Sequence, residues 1–249
     1  MAFLDDLIIA AGRGQGVLRY ARPMWRWLND VRLPIPRPVV AALYAERRSR
    51  AIWVPLAAKF LYREALLRYR CHSVGRRVQI EGRIPDIDGN GKVIIGDDVR
   101  IGEHCSWFIG HKVSEEATLT IGNGVSVGYR GLISAAKGVT IGDRTLLAGH
   151  ISIFDNPSHP MSPKRRFYHE PYALEEAEPV VIGRNCWIGG SAYVLKGVHI
   201  GDNSIVAAAS VVTKSVPPNT LVGGVPAKVL RELPDDLTDE DWEAAAARR

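Results

Sequence analysis

His159 is the residue whose type and surroundings best suit proton-transfer chemistry. It lies in the string SHPMSP, inside a polar and proline-rich segment, residues 154–181. An imidazole titrates near neutral pH, so it can take the proton of a hydroxyl that attacks a carbonyl carbon. Asp155 and Asn156 open the same segment and could orient that imidazole or bind substrate hydroxyls. The alternatives are a surface histidine beside a proline and a simple Asp-Asn-Pro turn.

The other reactive side chains give weaker evidence for a chemical role. Lys164, Arg165 and Arg166 could meet an anionic substrate or a lipid headgroup, or could simply form a solvated loop surface. No serine or cysteine lies in a nucleophile motif. The cysteines are too few and too scattered for a disulfide framework or a zinc site, so the sequence predicts no metal; they are Cys71, Cys105 and Cys186.

A repeat with a period of six must position these residues. Every sixth residue from Ile182 to Val212 is Ile or Val, and similar runs begin at Ile95, Ile121 and Ile141. One apolar residue in six is too sparse for a helix stripe or for one alternating strand. It suits a coil of three short strands, with Gly, Asn or Asp at each bend because these residues tolerate positive φ. The pattern predicts a stack of such coils.

Five coils account for the inward positions, and Val74 and Ile80 suggest a partial sixth. Two interruptions break the period. Ile133 and Ile141 are eight residues apart, and the polar segment 154–181 separates Ile153 from Ile182. A loop this long in a tight repeat is either functional or a disordered insertion.

The chain has three parts. Residues 1–70 read as helices broken by prolines and carry a net charge of +8, against −3 for the remainder. This basic, Trp-containing region could lie on an anionic membrane surface or could cap the first coil or contact another subunit; nucleic-acid binding lacks any motif. Residues 71–233 form the repeat domain with the external loop 154–181, and residues 234–249 form a short helix or tail.

Composition excludes several classes. Apolar residues make up 46% of the 249 residues, which is enough for a core, and no apolar run is long enough to span a membrane. Asp5 and Asp6 stand where a signal peptide needs positive charge. The sequence therefore predicts a cytoplasmic protein with a peripheral position at the inner face of the membrane as an option.

The strings LTIGNGVSVG, VTIGDRTLLAG and the long run from Trp187 to Leu233 resemble the hexapeptide-repeat acyltransferases. Within them the chain is similar to galactoside and maltose O-acetyltransferases, and in layout to bacterial polysaccharide O-acetyltransferases. The resemblance covers residues 71–233. It implies a mainly β fold, a left-handed parallel β-helix with an N-terminal helical extension and a short C-terminal helix. It also implies a homotrimer, acetyl-CoA as donor, and active sites between subunits.

The resemblance assigns residues to roles. A His-Pro pair at this point holds the family's catalytic histidine, which gives that role to His159. Donor-binding positions carry over to the C-terminal coils: Trp187, Gly190, Ala208, Thr213, Lys214, Lys228 and Arg231. Lysine and arginine suit the phosphates of coenzyme A. Asp155, Asn156 and Arg165 are weaker candidates for binding the acceptor.

One departure concerns the acceptor. Sugar-specific members usually place Asn or Asp in the coil before the catalytic one, whereas residues 129–138 read YRGLISAAKG. A galactoside or maltose acceptor is therefore not inherited, and a cell-surface glycan or its precursor is expected. The alternatives are another small acceptor such as an amino sugar or an antibiotic, a zinc-dependent γ-type carbonic anhydrase, and a non-catalytic membrane-associated trimeric scaffold.

Overall fold

The computed structural model describes residues 30, 35–58, 62–111 and 113–247. The chain divides into two units, Met1–Trp53 and Val54–Arg249. Helix α1, Arg37–Ala58, begins in the first unit, and helix α2, Glu64–Arg70, directly precedes the repeat. The other parts of the expected basic helical region, residues 1–29, 31–34 and 59–61, lie outside the described residues. No helix among the described residues has both the length and the apolar character needed to cross a membrane.

Three sheets, A, B and C, form the second unit, and the chain visits them in turn. Sheet A contains β1 (Ser73–Val74), β4 (Lys92–Ile95), β7 (Thr118–Ile121), β10 (Gly138–Ile141), β13 (Val180–Ile182) and β16 (His199–Ile200). Sheet B contains β2 (Gln79–Ile80), β5 (Arg100–Ile101), β8 (Ser126–Val127), β11 (Leu146–Leu147), β14 (Trp187–Ile188), β17 (Ile205–Val206), β19 (Thr220–Gly224) and β20 (Ala227–Glu232). Sheet C contains β3 (Asp86–Asp88), β6 (Ser106–Ile109), β9 (Leu132–Ala135), β12 (Ser152–Phe154), β15 (Tyr193–Val194) and β18 (Val211–Val212).

On each sheet, the inward residue of one coil stacks on the inward residue of the next coil. In sheet A, for example, Ile95 pairs with Ile121, and Ile121 pairs with Ile141. These side chains are at most 2% exposed, and Trp107 fills the equivalent inward place in sheet C. The predicted inward positions are thus confirmed, and the mainly β architecture of parallel strands follows from them. Val74 and Ile80 are partly buried against the core and start the stack.

Two bends of each coil matter below. We call the bend between a strand of sheet A and the next strand of sheet B the AB corner, and that between sheets B and C the BC corner. At the AB corner, the Asn123 side-chain oxygen accepts from the N–H of Asp97, and Asp143 accepts from the N–H of Asn123. Each polar side chain thus satisfies a backbone donor of the preceding coil, which explains why Asp or Asn follows the glycine so often.

The long insertion leaves the stack after β12 and returns at β13. It contains a short helix α3, Pro163–Phe167, whose first turn is capped by the Ser162 hydroxyl, and a 3-10 turn, Leu174–Glu176. The sequence-based bounds of the loop, 154–181, therefore overlap the flanking strands by one or two residues. Because it replaces a bend between sheets C and A, the inward stacking of Ile141 on Ile182 is uninterrupted.

The last strand departs from the repeat. All other strand pairs are parallel, whereas β19 and β20 form an antiparallel hairpin with a register shift between Leu221 and Val222. A C-terminal helix α4, Asp239–Ala247, follows, so the helical part of the expected C-terminal segment begins after residue 238. The Arg184 guanidinium lies 4.9 Å from the Trp242 ring centroid.

Candidate active site

His159 lies on the surface of the long insertion. Its side chain is exposed, and its backbone N–H donates to the Pro157 carbonyl at 2.7 Å. Among the described residues the imidazole has no hydrogen-bond or ion-pair partner. The imidazole is therefore accessible and is not held by a contact within the described part of the chain.

Asp155 has a different environment from the one that acceptor binding requires. It is completely buried, and its carboxylate accepts from the backbone N–H groups of Ala136, Lys137 and Gly138, each at 2.7 Å. The Asn156 amide donates to the same carboxylate at 2.8 Å. A carboxylate offers about four acceptor positions. All four are therefore used within the chain, which leaves none for a substrate hydroxyl.

Asn156 links Asp155 to the strand below. Its amide also donates to the carbonyl and the hydroxyl of Ser134, and its side-chain oxygen accepts from the N–H of Ser158. Asn156 and Ser158 line a cavity of about 220 Å³ on the outer face of sheet C. Asn156 thus fixes the turn that precedes His159.

Sequence reasoning missed the other residues of this cavity. They are Phe108, His111, Leu132, Ser134, Phe154 and Tyr172. Burial, and to a lesser extent the charge of Asp155, raises the pKa of Tyr172 to about 12, so its hydroxyl stays protonated. A signal was present, because residues that follow an inward position of a strand point outward. Phe108, Ser134 and Phe154 each follow such a position and pair in register.

Arg165 braces the insertion instead of facing a substrate. Its guanidinium donates to the Glu170 carboxylate at 3.1 Å and to the Pro171 carbonyl at 2.6 Å. Arg166 donates to the carbonyls of Pro160 and Met161. These contacts close the loop on itself, and the charge of Arg165 is paired within the loop.

The structure brings three of the predicted donor residues together. Thr213, Lys214 and Lys228 line one cavity of about 350 Å³ between the end of β18 and the β19–β20 hairpin. The two lysines are exposed, and neither has an ion-pair partner among the described residues. A small cavity that carries two lysines is suited to a phosphorylated ligand.

The remaining predicted donor residues lie on two nearby surfaces. Gly190 and Ala208 follow one another at the BC corner, where the Gly190 carbonyl accepts from the N–H of Ala209 at 2.8 Å. This corner reaches the hairpin, because the Ser210 hydroxyl accepts from the N–H of Gly224. Trp187 and Arg231 stand on the outer face of sheet B, with Trp187 53% exposed. His159 does not line the lysine cavity.

Thiol chemistry has no support at these sites. All three cysteines are buried, and burial raises the pKa of Cys71 and of Cys186 to about 11. A thiol with such a pKa is almost entirely protonated near pH 7 and is a poor nucleophile. Within the described part of the chain, no three His, Cys, Asp or Glu side chains are grouped so that they could hold a metal ion.

Comparisons with known proteins address the repeat directly. The family model described as the hexapeptide repeat of succinyl-transferase matches residues 179–214. Galactoside O-acetyltransferase of Escherichia coli (strain K12) is 42% identical over 97 residues, which are 39% of this chain and 45% of that protein. The chain thus spans less than half the length of this curated relative.

Solved structures extend the comparison. A hexapeptide-repeat acetyltransferase from Vibrio cholerae, solved with acetyl coenzyme A, is 31% identical; the match covers 76% of this chain and 87% of that one, with a TM-score of 0.46. An N-acyltransferase from Bacillus cereus, solved with coenzyme A and dTDP-4-amino-4,6-dideoxyglucose, shares the fold with a TM-score of 0.61. It is 20% identical, and the match covers 74% of this chain and 96% of that one. The chain belongs to the hexapeptide-repeat acetyltransferases.

Proposed function

We propose that this protein is an O-acetyltransferase that moves an acetyl group from acetyl-CoA to a hydroxyl of a sugar or of a cell-surface glycan precursor. The observation that carries the proposal is the cavity where Thr213, Lys214 and Lys228 meet. Family membership supports the reaction class, and galactoside O-acetyltransferase supports a sugar acceptor. Transfer to an amino sugar or another small acceptor uses the same machinery and is one outcome of the tests below.

The donor site is proposed to run from the lysine cavity along the BC corner. Lys214 and Lys228 would bind phosphate groups of coenzyme A, because an ammonium group combines charge with hydrogen-bond donors. Arg231 would add a further cation at the nucleotide end. Gly190 and Ala208 would lie under the pantetheine arm, where small residues leave room for it, and Trp187 would flank it on sheet B.

The proposed chemistry is direct transfer. The acceptor hydroxyl oxygen attacks the thioester carbonyl carbon, and the His159 imidazole takes the hydroxyl proton. The tetrahedral intermediate then collapses, the carbon–sulfur bond breaks, and the coenzyme A thiolate leaves and takes the proton back from the imidazolium. Asn156 would position His159 through the turn that it fixes, and Asp155 and Arg165 would hold the surrounding loop.

The family resemblance adds three architectural proposals. The coil would be left-handed, three chains would assemble into a homotrimer, and each active site would lie between two subunits. An active site between subunits fits the arrangement in a single chain, because His159 does not line the lysine cavity. A neighbouring subunit would then supply His159 to the donor site.

The N-terminal region is proposed to contact the membrane surface. On helix α1, Leu43, Tyr44 and Trp53 are 57%, 61% and 64% exposed, and Arg47 and Arg48 stand beside them. A helix of this type binds anionic bilayers through apolar burial and charge. Sedimentation with anionic vesicles but not with neutral ones is expected; indifference to vesicle charge would contradict the idea. A cytoplasmic location stays a prediction.

Donor binding is the first test. Calorimetry should show saturable binding of coenzyme A and acetyl-CoA, and Lys214→Glu should weaken it by about tenfold or more, since it replaces a phosphate-binding cation with a repelling charge. Lys92→Glu makes the same reversal on an exposed lysine of β4 and should leave binding unchanged. Absence of binding by folded protein would remove the transferase proposal and favour the scaffold.

The general base is tested separately. With an acceptor found in a glycan panel, His159→Ala should lower kcat by about 10²–10⁴-fold while coenzyme A binding persists. His72→Ala, which removes an exposed histidine near β1, is the matched control. Unchanged turnover in His159→Ala would transfer the role of base to another residue without affecting the donor site.

A further inference from the structure

The BC corner carries a cluster of aromatic and basic side chains in coils before the donor groove. The Tyr129 ring meets the imidazoles of His104 and His150 edge to face, at centroid distances of 5.6 and 5.4 Å. The guanidinium of Arg130 lies over the same ring, 5.0 Å from its centroid. All four side chains are exposed. We call these four residues the corner cluster.

The backbone at this corner adopts positive φ, which is unfavourable for Arg130, Ser191 and Ala209. Five successive turns place a residue at φ between 55° and 62°: His104, Arg130, His150, Ser191 and Ala209. Only glycine and, less readily, Asn, Asp and His tolerate this region. The AB corner mostly uses tolerant residues there, such as Asn185 and Asn203. Arg130 shares this conformation with Arg77 and Arg144 of the AB corner, so the case for Arg130 rests on its contact with Tyr129 and not on its backbone conformation.

Two glycines beside the cluster, Gly149 and Gly190, are less tightly confined than Gly128 and Gly189. A Cβ on Gly128 or Gly189 would come within 2.6 or 2.5 Å of the next coil's backbone. On Gly149 the nearest atom would be the Tyr129 carbonyl oxygen at 3.3 Å, and on Gly190 the Gly149 carbonyl oxygen at 3.5 Å, with neither glycine at positive φ. Two successive coils, spanning ~10 Å of the corner, therefore carry no side chain at this position. We call this stretch the notch.

The notch joins the corner cluster to the donor groove. Along the corner, Tyr129, Gly149, Gly190 and Ala208 follow one another in successive coils, linked by hydrogen bonds such as that from the His150 N–H to the Tyr129 carbonyl. If the pantetheine arm lies over Gly190 and Ala208, its acetyl end reaches Gly149. The next surface along the corner is the face of Tyr129 and Arg130, where an acceptor would have to bind.

We propose that the corner cluster is the acceptor site and that its ligand is a sugar ring bearing a negatively charged substituent, a carboxylate or a phosphate. This inference rests on the proposed function, because it places the acceptor relative to the donor groove. The ring stacks on Tyr129, and the imidazole and guanidinium N–H groups bind the anion. The Arg130 guanidinium is available for this, since it has no carboxylate partner among the described residues.

Charges around the corner favour an anion. Facing the cluster, Glu103 is the nearby carboxylate, 3.9 Å from the His104 imidazole. Beyond His104 the corner opens into a cavity of about 960 Å³ that is also lined by Arg63, Arg83 and Asp86. The surface has positive character, because it carries three arginines, Arg63, Arg83 and Arg130, and two carboxylates, Asp86 and Glu103. The imidazoles of His104 and His150 add hydrogen-bond donors. The size of the cavity leaves room for further units of a glycan.

The test compares two rings that differ in charge. With coenzyme A bound, calorimetry measures the affinity for methyl glucuronide and glucose 1-phosphate against neutral methyl glucoside. The charged sugars should bind at least about tenfold more tightly, and Arg130→Asn should abolish that preference. Thermal stability should hold in this variant, because Asn suits the backbone conformation. Arg144→Asn, the same change at positive φ on the AB corner, should keep the preference.

Each outcome separates the two proposals. Coenzyme A binding without preference for a charged sugar, or an equal loss in Arg130→Asn and Arg144→Asn, overturns the corner cluster as acceptor site and leaves the donor site standing. Failure of coenzyme A binding overturns the proposed function itself. A preference for the phosphate alone or the carboxylate alone supports the inference and identifies the anion.

Discussion

Buried polar side chains decide the local geometry of the candidate site, and Asp155 is the centre of them. The eight-residue interval between Ile133 and Ile141 turns three backbone N–H groups toward one point, and the Asp155 carboxylate receives all three. The two interruptions of the repeat are therefore coupled. Asp155, at the start of the long insertion, accepts hydrogen bonds from the backbone N–H groups of the eight-residue interval. Burying a carboxyl group costs little only when all of its hydrogen-bond positions are filled.

Asp155→Asn is expected to destabilise the protein by about 2–4 kcal/mol, because an amide group would turn an N–H donor toward backbone donors in a buried place. Denaturant unfolding measures the change. Asp88→Asn alters an exposed carboxylate that pairs with His111 at 2.9 Å and should cost less than about 1 kcal/mol. Equally small changes in the free energy of unfolding of both variants would show that Asp155 does not organise the eight-residue interval between Ile133 and Ile141.

At this scale the sequence predicts inward residues well and polar roles poorly. Spacing alone predicts the burial of Ile95, Trp107 and Val194. In a repeat of fixed period, the position of a residue in the repeat determines whether its side chain points inward. The partners of Asp155 depend on the shape of the eight-residue interval, and those of Arg165 on the shape of the long insertion. These shapes have no period, so spacing could not reveal that the oxygens and nitrogens of the two side chains are already occupied.

The C-terminal end of the long insertion is held to the coils by Lys196. The Lys196 ammonium donates to the Glu178 carboxylate at 2.6 Å and to the Glu176 carbonyl at 2.9 Å. The hydrogen bond and charge of Lys196 hold the pKa of Glu178 below its ordinary value of 4.5. Both groups are at the surface, so the pair acts as an end clamp for the loop and adds little to global stability.

The ion pair between Glu178 and Lys196 weakens at low pH, because the pKa of Glu178 is lowered in the folded state. The folded state favours ionised Glu178, so the clamp is complete above about pH 4.5 and is lost as pH falls through the lower folded-state pKa. The protection factors of the amides in residues 174–178, which are corrected for the slower intrinsic exchange at low pH, should therefore fall on acidification in the wild type. In Glu178→Gln they should be low already at pH 7. A variant that exchanges at the wild-type rate at pH 7 would contradict the clamp.

The elements themselves were largely predictable. The period of six predicted the coils, and the break between Ile153 and Ile182 predicted the loop. The strands run from Ser73 to Glu232. The antiparallel β20, Ala227–Glu232, was not predicted, because the spacing of its residues carries no signal for strand direction. Its direction depends on a tight turn after Gly224, which has a φ of 100°.

At the scale of the whole molecule, the outer face of sheet B presents an apolar row. Leu146 pairs with Trp187, Trp187 with Ile205, and Ile205 with Leu221. Leu146 and Trp187 are 52% and 53% exposed in the single chain. A contiguous apolar strip of this kind on a surface marks an interaction site. The proposed homotrimer offers a second copy of the chain as the partner that covers it.

Leu146→Glu tests that assignment, because it places a charge in the middle of the row without entering the core. Analytical ultracentrifugation of the wild type should give about three times the 27.4 kDa of one chain, and the variant should sediment as a single chain. Thr140→Glu changes an exposed residue of the same coil on sheet A and should remain a trimer. If active sites lie between subunits, coenzyme A affinity should fall together with assembly in Leu146→Glu. A wild type of single-chain mass, or an intact trimer in this variant, would exclude sheet B as the interface.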